Sequence, residues 1–242
     1  MSNVTLLAFG DSHTAGAEID FKDQGECYDK AFSAKLSKHL DFKYENYAKA
    51  GGSNSYLISC LMSRVQRAII NSEKIFVVVG FCDPSRIFYK DKHGVLHHIT
   101  SSNILTTKKV HLNFYEQYLQ TYSNEELNNK AISEILLIQS FLKSYNIPFI
   151  FFISTQWYPG DWSLIDQKTF FGHQRQIYTE RQSWDHYNSY GFWGTCMHHP
   201  DWSHYKNDPR WSAHYPEHFH EFWANLMLNF IKSNSILNLT DS

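Results

Sequence analysis

Ser12 stands in the run Gly10-Asp11-Ser12-His13-Thr14, directly behind an apolar stretch from Val4 to Phe9. A serine hydroxyl is a weak nucleophile at neutral pH. It needs a base within hydrogen-bond reach and donors aimed at the oxyanion that develops on the carbonyl it attacks. The neighbours of Ser12 suit that task. Gly10 lets the chain turn sharply, the Asp11 carboxylate can tie the loop down, and Ser12 then projects into a crevice. The structural alternative is an ordinary helix-cap or turn serine.

Other groups could also carry chemistry. Arg86, in Asp83-Pro84-Ser85-Arg86, is placed to clamp a carboxylate or a sugar acid, with Asp83 beside it, or else to make a salt bridge. His198, His199, His204, His214, His218 and His220 crowd one region with Asp201 and Asp208, a set that could hold a metal. No HExxH is present, and His214 and His218 could share a helix face while His220 points away. Solvent-facing or core-capping histidine is the plainer account, so no metal and no cofactor is expected. The four cysteines, Cys27, Cys60, Cys82 and Cys196, form no CxxC pair, so neither a zinc knuckle nor a redox dithiol is signalled.

The elements that must position these groups read as alternating strands and helices. Val4–Phe9, 74–80 and 148–153 are unbroken apolar runs, the mark of strands buried on both faces; 42–47 is a shorter strand. Helices are expected over 28–40, 56–70 and 124–145, the last capped by Asn124, and over 216–231 with Phe219, Phe222, Trp223, Leu226 and Phe230 on its apolar side. Gly51-Gly52-Ser53-Asn54 is a turn opening the second helix. Parallel neighbours need crossovers, so this alternation predicts a parallel sheet with helices on both faces and ligands beyond the carboxyl ends of the strands. Segments 84–123, with a small hairpin around His93-Gly94, and 155–213, polar and aromatic, fall outside the repeating unit; such long connections serve as lids or binding loops.

Leu7-Ala8-Phe9-Gly10-Asp11-Ser12-His13-Thr14 resembles the first sequence block of the SGNH, or GDSL-like, hydrolases. It is not a GxSxG elbow, because Thr14 stands where the last glycine belongs. Asn46-Tyr47-Ala48 followed by Gly51-Gly52-Ser53-Asn54 looks like the second block, and Gly80-Phe81-Cys82-Asp83 matches the third, Gly-x-Asn-Asp, with cysteine in place of the asparagine donor. The resemblance implies a three-layer α/β/α sandwich with a parallel sheet, the flavodoxin-like SGNH hydrolase fold, and a serine esterase without cofactor. It gives Ser12 as nucleophile and an oxyanion hole from the Gly52 and Ser12 N–H groups; Asn54, on the neighbouring turn, is either the donor that Cys82 lacks or an N-cap or turn residue. For the base it leaves two candidates. Asp201-Trp202-Ser203-His204 matches the letters of the last block, Asp-x-x-His. His214-Tyr215-Pro216, followed by a helix carrying His220, Trp223 and Ala224, matches its surroundings and is favoured. Position 211 is Trp, so the orienting acid falls to Asp208 or Asp201, or is absent.

With 242 residues the chain suits one α/β domain, with insertions at about 84–123 and 155–213. A net charge of −2 gives no pull toward nucleic acid. No signal peptide or membrane span is read, so the protein is expected in the cytoplasm or released from it, in the manner of phage-associated chains. The 18 Phe, 15 Tyr and 7 Trp exceed what a core consumes. Either they add to core, surface and lid packing, the plainer account, or some line a groove where sugars stack on such rings, which favours an O-acetylated carbohydrate or other small ester as substrate. Two rivals remain: a non-catalytic carbohydrate-binding or structural module on the same fold, and a metal-dependent hydrolase built on the histidine cluster.

Overall fold

Three apolar runs become the middle of the protein, as their lack of polar alternation requires. In the computed structural model, which describes residues 3–17, 19, 25–91, 93, 95–99, 109–154, 160–171 and 215–237, four strands form one parallel sheet. These are β1 (Val4–Phe9), β2 (Lys43–Asn46), β3 (Lys74–Phe81) and β6 (Phe149–Ile153), in the order β2-β1-β3-β6. Leu7 pairs with Val77 and Val79 with Phe151, so β1, β3 and β6 form a continuous hydrocarbon block, with the polar β2 at its edge.

Alternate residues feed two separate cores. Leu7, Phe9, Val77, Val79, Phe151 and Ile153 face α3 (Asn54–Ile70) and α5 (Asn124–Ser144). Leu6, Ala8, Phe76, Val78, Ile150 and Phe152 face α2 (Phe32–His39) and α6 (Glu217–Ser233). A residue inserted into β1 or β3 would exchange the two sets. The result is the three-layer α/β/α arrangement expected, with strands in the flavodoxin-like order.

Several boundaries differ from expectation, each for a local reason. α2 starts at Phe32 rather than Tyr28, and Ala31 offers no side-chain cap. The cap comes from another helix: His220 Nδ1 accepts the Phe32 N–H at 3.1 Å. α5 is capped by Ser123, not Asn124, through a reciprocal capping box with Glu126. α6 buries Phe219 and Trp223 as expected, with His220, Ala224, Met227 and Ile231, whereas Phe222, Leu226 and Phe230 are only partly buried, Phe230 against the Phe171 ring.

The segment after β3 folds back as a hairpin, β4 (Ile87–Lys90) and β5 (Leu96–Ile99), as expected. It then contributes a helix that the sequence did not announce, α4 (Lys109–Thr121). Tyr115 of this helix is buried against Ile87 and Ile99. Of the long segment after β6, residues 160–171 pack onto the sheet, with Phe170 bridged to Phe151 and Trp162 edge-on to Phe170 at 5.4 Å. Gln139 pins them through the Leu164 carbonyl and the Asp166 N–H.

Among the described residues no helix is long and apolar enough to cross a membrane.

Candidate active site

The chain leaves β1 toward β2 on one side, while β3 leads on to β6 on the other. Between the carboxyl ends of β1 and β3 therefore lies a topological switch point, where an open parallel sheet leaves a crevice. Ser12 follows β1, and Cys82 and Asp83 follow β3.

Ser12 opens a single helical turn, α1 (Ser12–Ala15), whose cap is Asp11: the Asp11 carboxylate accepts the His13 N–H at 3.1 Å. The turn sits hard on the sheet. A Cβ on Gly10 would lie 2.3 Å from Thr14 Oγ1, and one on Gly80 would lie 2.8 Å from the same atom and 2.5 Å from the Phe152 ring. Only glycine at both places lets the turn that carries Ser12 rest on the ends of β1 and β3. At the far end Gly16 takes a left-handed conformation (φ 66°) and closes the turn. Ser12 itself is buried, with 8 % of its surface left exposed.

The loop after β2 is strapped to this turn. Lys49 N–H donates to the Gly10 carbonyl at 3.1 Å, and Asn46 Nδ2 donates to the Thr14 carbonyl at 2.8 Å. Glu26, which the sequence reading passed over, holds the same loop from outside. Its carboxylate accepts the Ala50 N–H at 2.9 Å and the Tyr28 hydroxyl at 2.6 Å. Burial works against that charge, yet these hydrogen bonds and Lys49 keep the Glu26 pKa below the usual range. A lone Glu in a polar stretch carried no pattern that could have revealed it.

The expected oxyanion donors are arranged otherwise than foreseen. The Gly52 N–H closes a turn onto the Lys49 carbonyl at 2.8 Å, with Gly51 at φ 72°. Asn54 is buried, and its amide is paired in both directions with the backbone of Cys82. Oδ1 accepts the Cys82 N–H at 2.9 Å, and Nδ2 donates to the Cys82 carbonyl at 3.2 Å. One Nδ2 hydrogen is left, so Asn54 is first of all a clamp between the loops after β2 and β3. The Cys82 thiol donates to the Gly52 carbonyl at 3.2 Å and lies within 3.3 Å of Asn54 Oδ1. Burial pushes its pKa up to about 12, which keeps it a neutral donor and no nucleophile.

The expected substrate clamp also has a different occupation. Arg86 Nη1 donates to Asp11 Oδ2 at 3.0 Å, with Asp11 fully buried and the Arg86 side chain 14 % exposed. Burial disfavours the Arg86 charge, but Asp11 together with the other acidic groups around it, Asp83 among them, lifts the pKa above its ordinary value. Asp83 caps its own turn by accepting the Ser85 N–H at 2.8 Å. Each of the two groups is thus paired within the loops, Arg86 with Asp11 and Asp83 with its own turn.

His214, His204, Asp208 and Asp201 lie outside the described residues, as do His198 and His199. Tyr215 and Pro216, next along the chain, are described and buried. The Tyr215 ring stacks on His13 with centroids 6.3 Å apart and planes 28° from parallel, and on Phe219 at 5.3 Å. Of the other histidines in the cluster, His218 packs on Phe219 at 4.6 Å, and His220 is the buried cap of α2.

No family model matches the chain, and no curated protein matches it in sequence. Among solved structures it is similar to a psychrotrophic esterase from Pseudoalteromonas sp., at 11 % identity over 95 % of this chain and 97 % of that one, TM-score 0.46. It is similar to a member of the lipolytic protein G-D-S-L family from Veillonella parvula, at 14 % identity over 93 % and 97 %, TM-score 0.45. It is similar also to an acetyl xylan esterase from the rumen bacterium Butyrivibrio proteoclasticus, at 12 % identity over 96 % of this chain and 64 % of that one, TM-score 0.49.

Proposed function

We propose that this chain is a serine hydrolase of the SGNH type, a single domain that cleaves a carboxylic ester with Ser12 as nucleophile. The observation that carries the reading is the setting of Ser12: a capped turn at the switch point of a parallel sheet, seated on two glycines and tied to both flanking loops. An ordinary turn serine needs none of this.

His214 is the base in this reading. Its neighbour Tyr215 packs on His13, the neighbour of Ser12, and consecutive Cα atoms are only about 3.8 Å apart. His204 stands ten residues further along the chain from that anchor, and with Asp201 it is the alternative pair. Asp208 is the candidate that orients the ring and steadies the imidazolium. Ser12 Oγ attacks the carbonyl while the base takes its proton, which then passes to the departing alcohol; water repeats the sequence on the acyl-enzyme. The Ser12 N–H heads a helical turn, where an N–H has no intrahelical partner, and it serves as the principal oxyanion donor. The second Nδ2 hydrogen of Asn54 assists, and the Gly52 N–H joins only by sharing its bond to Lys49.

An O-acetyl group on a carbohydrate is the preferred ester, on the aromatic richness of the segment after β6. Hydrolysis of p-nitrophenyl acetate tests the reaction. Turnover that disappears in Ser12→Ala and persists with a chelator supports it, whereas turnover that survives Ser12→Ala and stops with a chelator replaces it by metal-dependent hydrolysis. The base is tested by His214→Gln against His204→Gln, of which the first should lose about a thousandfold or more.

A further inference from the structure

Asp11 sets a problem for catalysis. Its carboxylate is fully buried, one residue from the nucleophile, and its Oδ1 caps the turn that carries Ser12. An unpaired buried anion at that distance would oppose the negative charge that grows on the oxyanion during attack, in a place where water screens little. The structure supplies a counter-charge from 75 residues away, since Arg86 Nη1 reaches Asp11 Oδ2 at 3.0 Å. The Arg86 backbone is held in turn by the Asp83 carbonyl at 3.1 Å, on the loop that leaves β3. The two strands that flank the crevice are thus joined by an ion pair under the nucleophile turn.

We infer that Arg86 is a positioning and charge-compensating residue for Ser12, which holds the Asp11 cap in place and cancels its field at the oxyanion. This rests on Ser12 being the nucleophile. Arg86 does not touch the substrate in this scheme. It acts through Asp11, so its loss should fall on kcat and leave KM nearly unchanged.

Charge asymmetry separates this role from a merely structural one. Arg86→Met leaves a buried anion at the turn, Asp11→Asn leaves a buried cation, and the double variant Asp11→Asn/Arg86→Met leaves neither while the Asn side chain can still cap. Both single variants weaken the fold, because each strands a buried charge. Only the stranded anion also opposes the oxyanion. For a unit charge about 8 Å away at an effective dielectric of about 20, the cost is about thirtyfold in rate.

The test is the rate of Ser12 phosphonylation by a fluorophosphonate, with kcat and KM on p-nitrophenyl acetate, below the melting temperature of every variant. Arg86→Met should lose about thirtyfold in labelling and in kcat with KM within about twofold, Asp11→Asn should lose several-fold less, and the double variant should regain most of the difference. Equal losses in the two single variants, or a double variant no faster than Arg86→Met, overturn the inference while Ser12 labelling of the unsubstituted enzyme upholds the nucleophile. No labelling of the unsubstituted enzyme removes both.

Discussion

The ring of Tyr215 lies against the ring of His13, 6.3 Å between centroids. Tyr215, two residues before α6, is thereby held on the residue that follows Ser12, beyond the carboxyl end of β1. If this contact holds the base in reach, Tyr215→Leu, which keeps apolar bulk but loses the stacking plane, should lower kcat about tenfold with KM little changed. Steady-state kinetics on p-nitrophenyl acetate check this, and an unchanged kcat would show that the base is anchored elsewhere.

Asn54 joins the loops after β2 and β3. Asn54→Ala leaves the Cys82 N–H and carbonyl buried without their partner, at a cost of about 2–4 kcal/mol. The same change should reduce turnover about a hundredfold, through the lost clamp and the lost donor together. Urea unfolding and esterase assays measure the two effects separately. A variant of native stability and native rate would remove Asn54 from the site.

His220 presents Nδ1 to the Phe32 N–H, so in the folded protein that nitrogen is an acceptor and the ring proton sits on Nε2. His220→Phe fills most of the space but leaves the first N–H of α2 unpaired, and unfolding should show a loss of about 1–3 kcal/mol. His220→Asn, able to accept the same bond, should lose less. The reverse order would mean that ring packing, not capping, is what His220 provides.

Alkaline pH should destabilise this fold through Cys82. Its pKa is raised by burial from 9.0 to about 12, so the folded state keeps a proton that the unfolded state releases. The contribution is fully present below pH 9 and is lost as the pH rises toward about 12. Tyr44 and Tyr56, also raised to about 12 mainly by burial, add to the same decline from their usual pKa of 10.0 upward. Unfolding free energies of the parent and of Cys82→Ala between pH 9 and 11 check the sign: the parent should fall more steeply, and parallel curves would contradict it.

β1, β3 and β6 could be read from the sequence because they are apolar on both faces, in runs such as Phe76-Val77-Val78-Val79. The turn at Ser12 was legible for a similar reason, since glycine before a polar pair behind such a run has few uses. α4 escaped because its inward face is built from tyrosines, Tyr115 and Tyr118, which periodicity alone treats as surface. On α6 Phe219 and Trp223 were legible as core, but Ala224 and Met227 were not told apart from Phe222 and Leu226, because in a largely apolar helix hydrophobicity alone does not say which residues meet the neighbouring layer. The pairing of Asp11 with Arg86 and of Asn54 with Cys82 could not be foreseen, because it depends on which loops the strand order brings side by side.

The most direct measurement is the site at which a fluorophosphonate attaches. After reaction and proteolysis, mass spectrometry should find one adduct, on the peptide containing Ser12, and none in Ser12→Ala. An unmodified protein, or an adduct on another residue that persists in Ser12→Ala, would contradict the account.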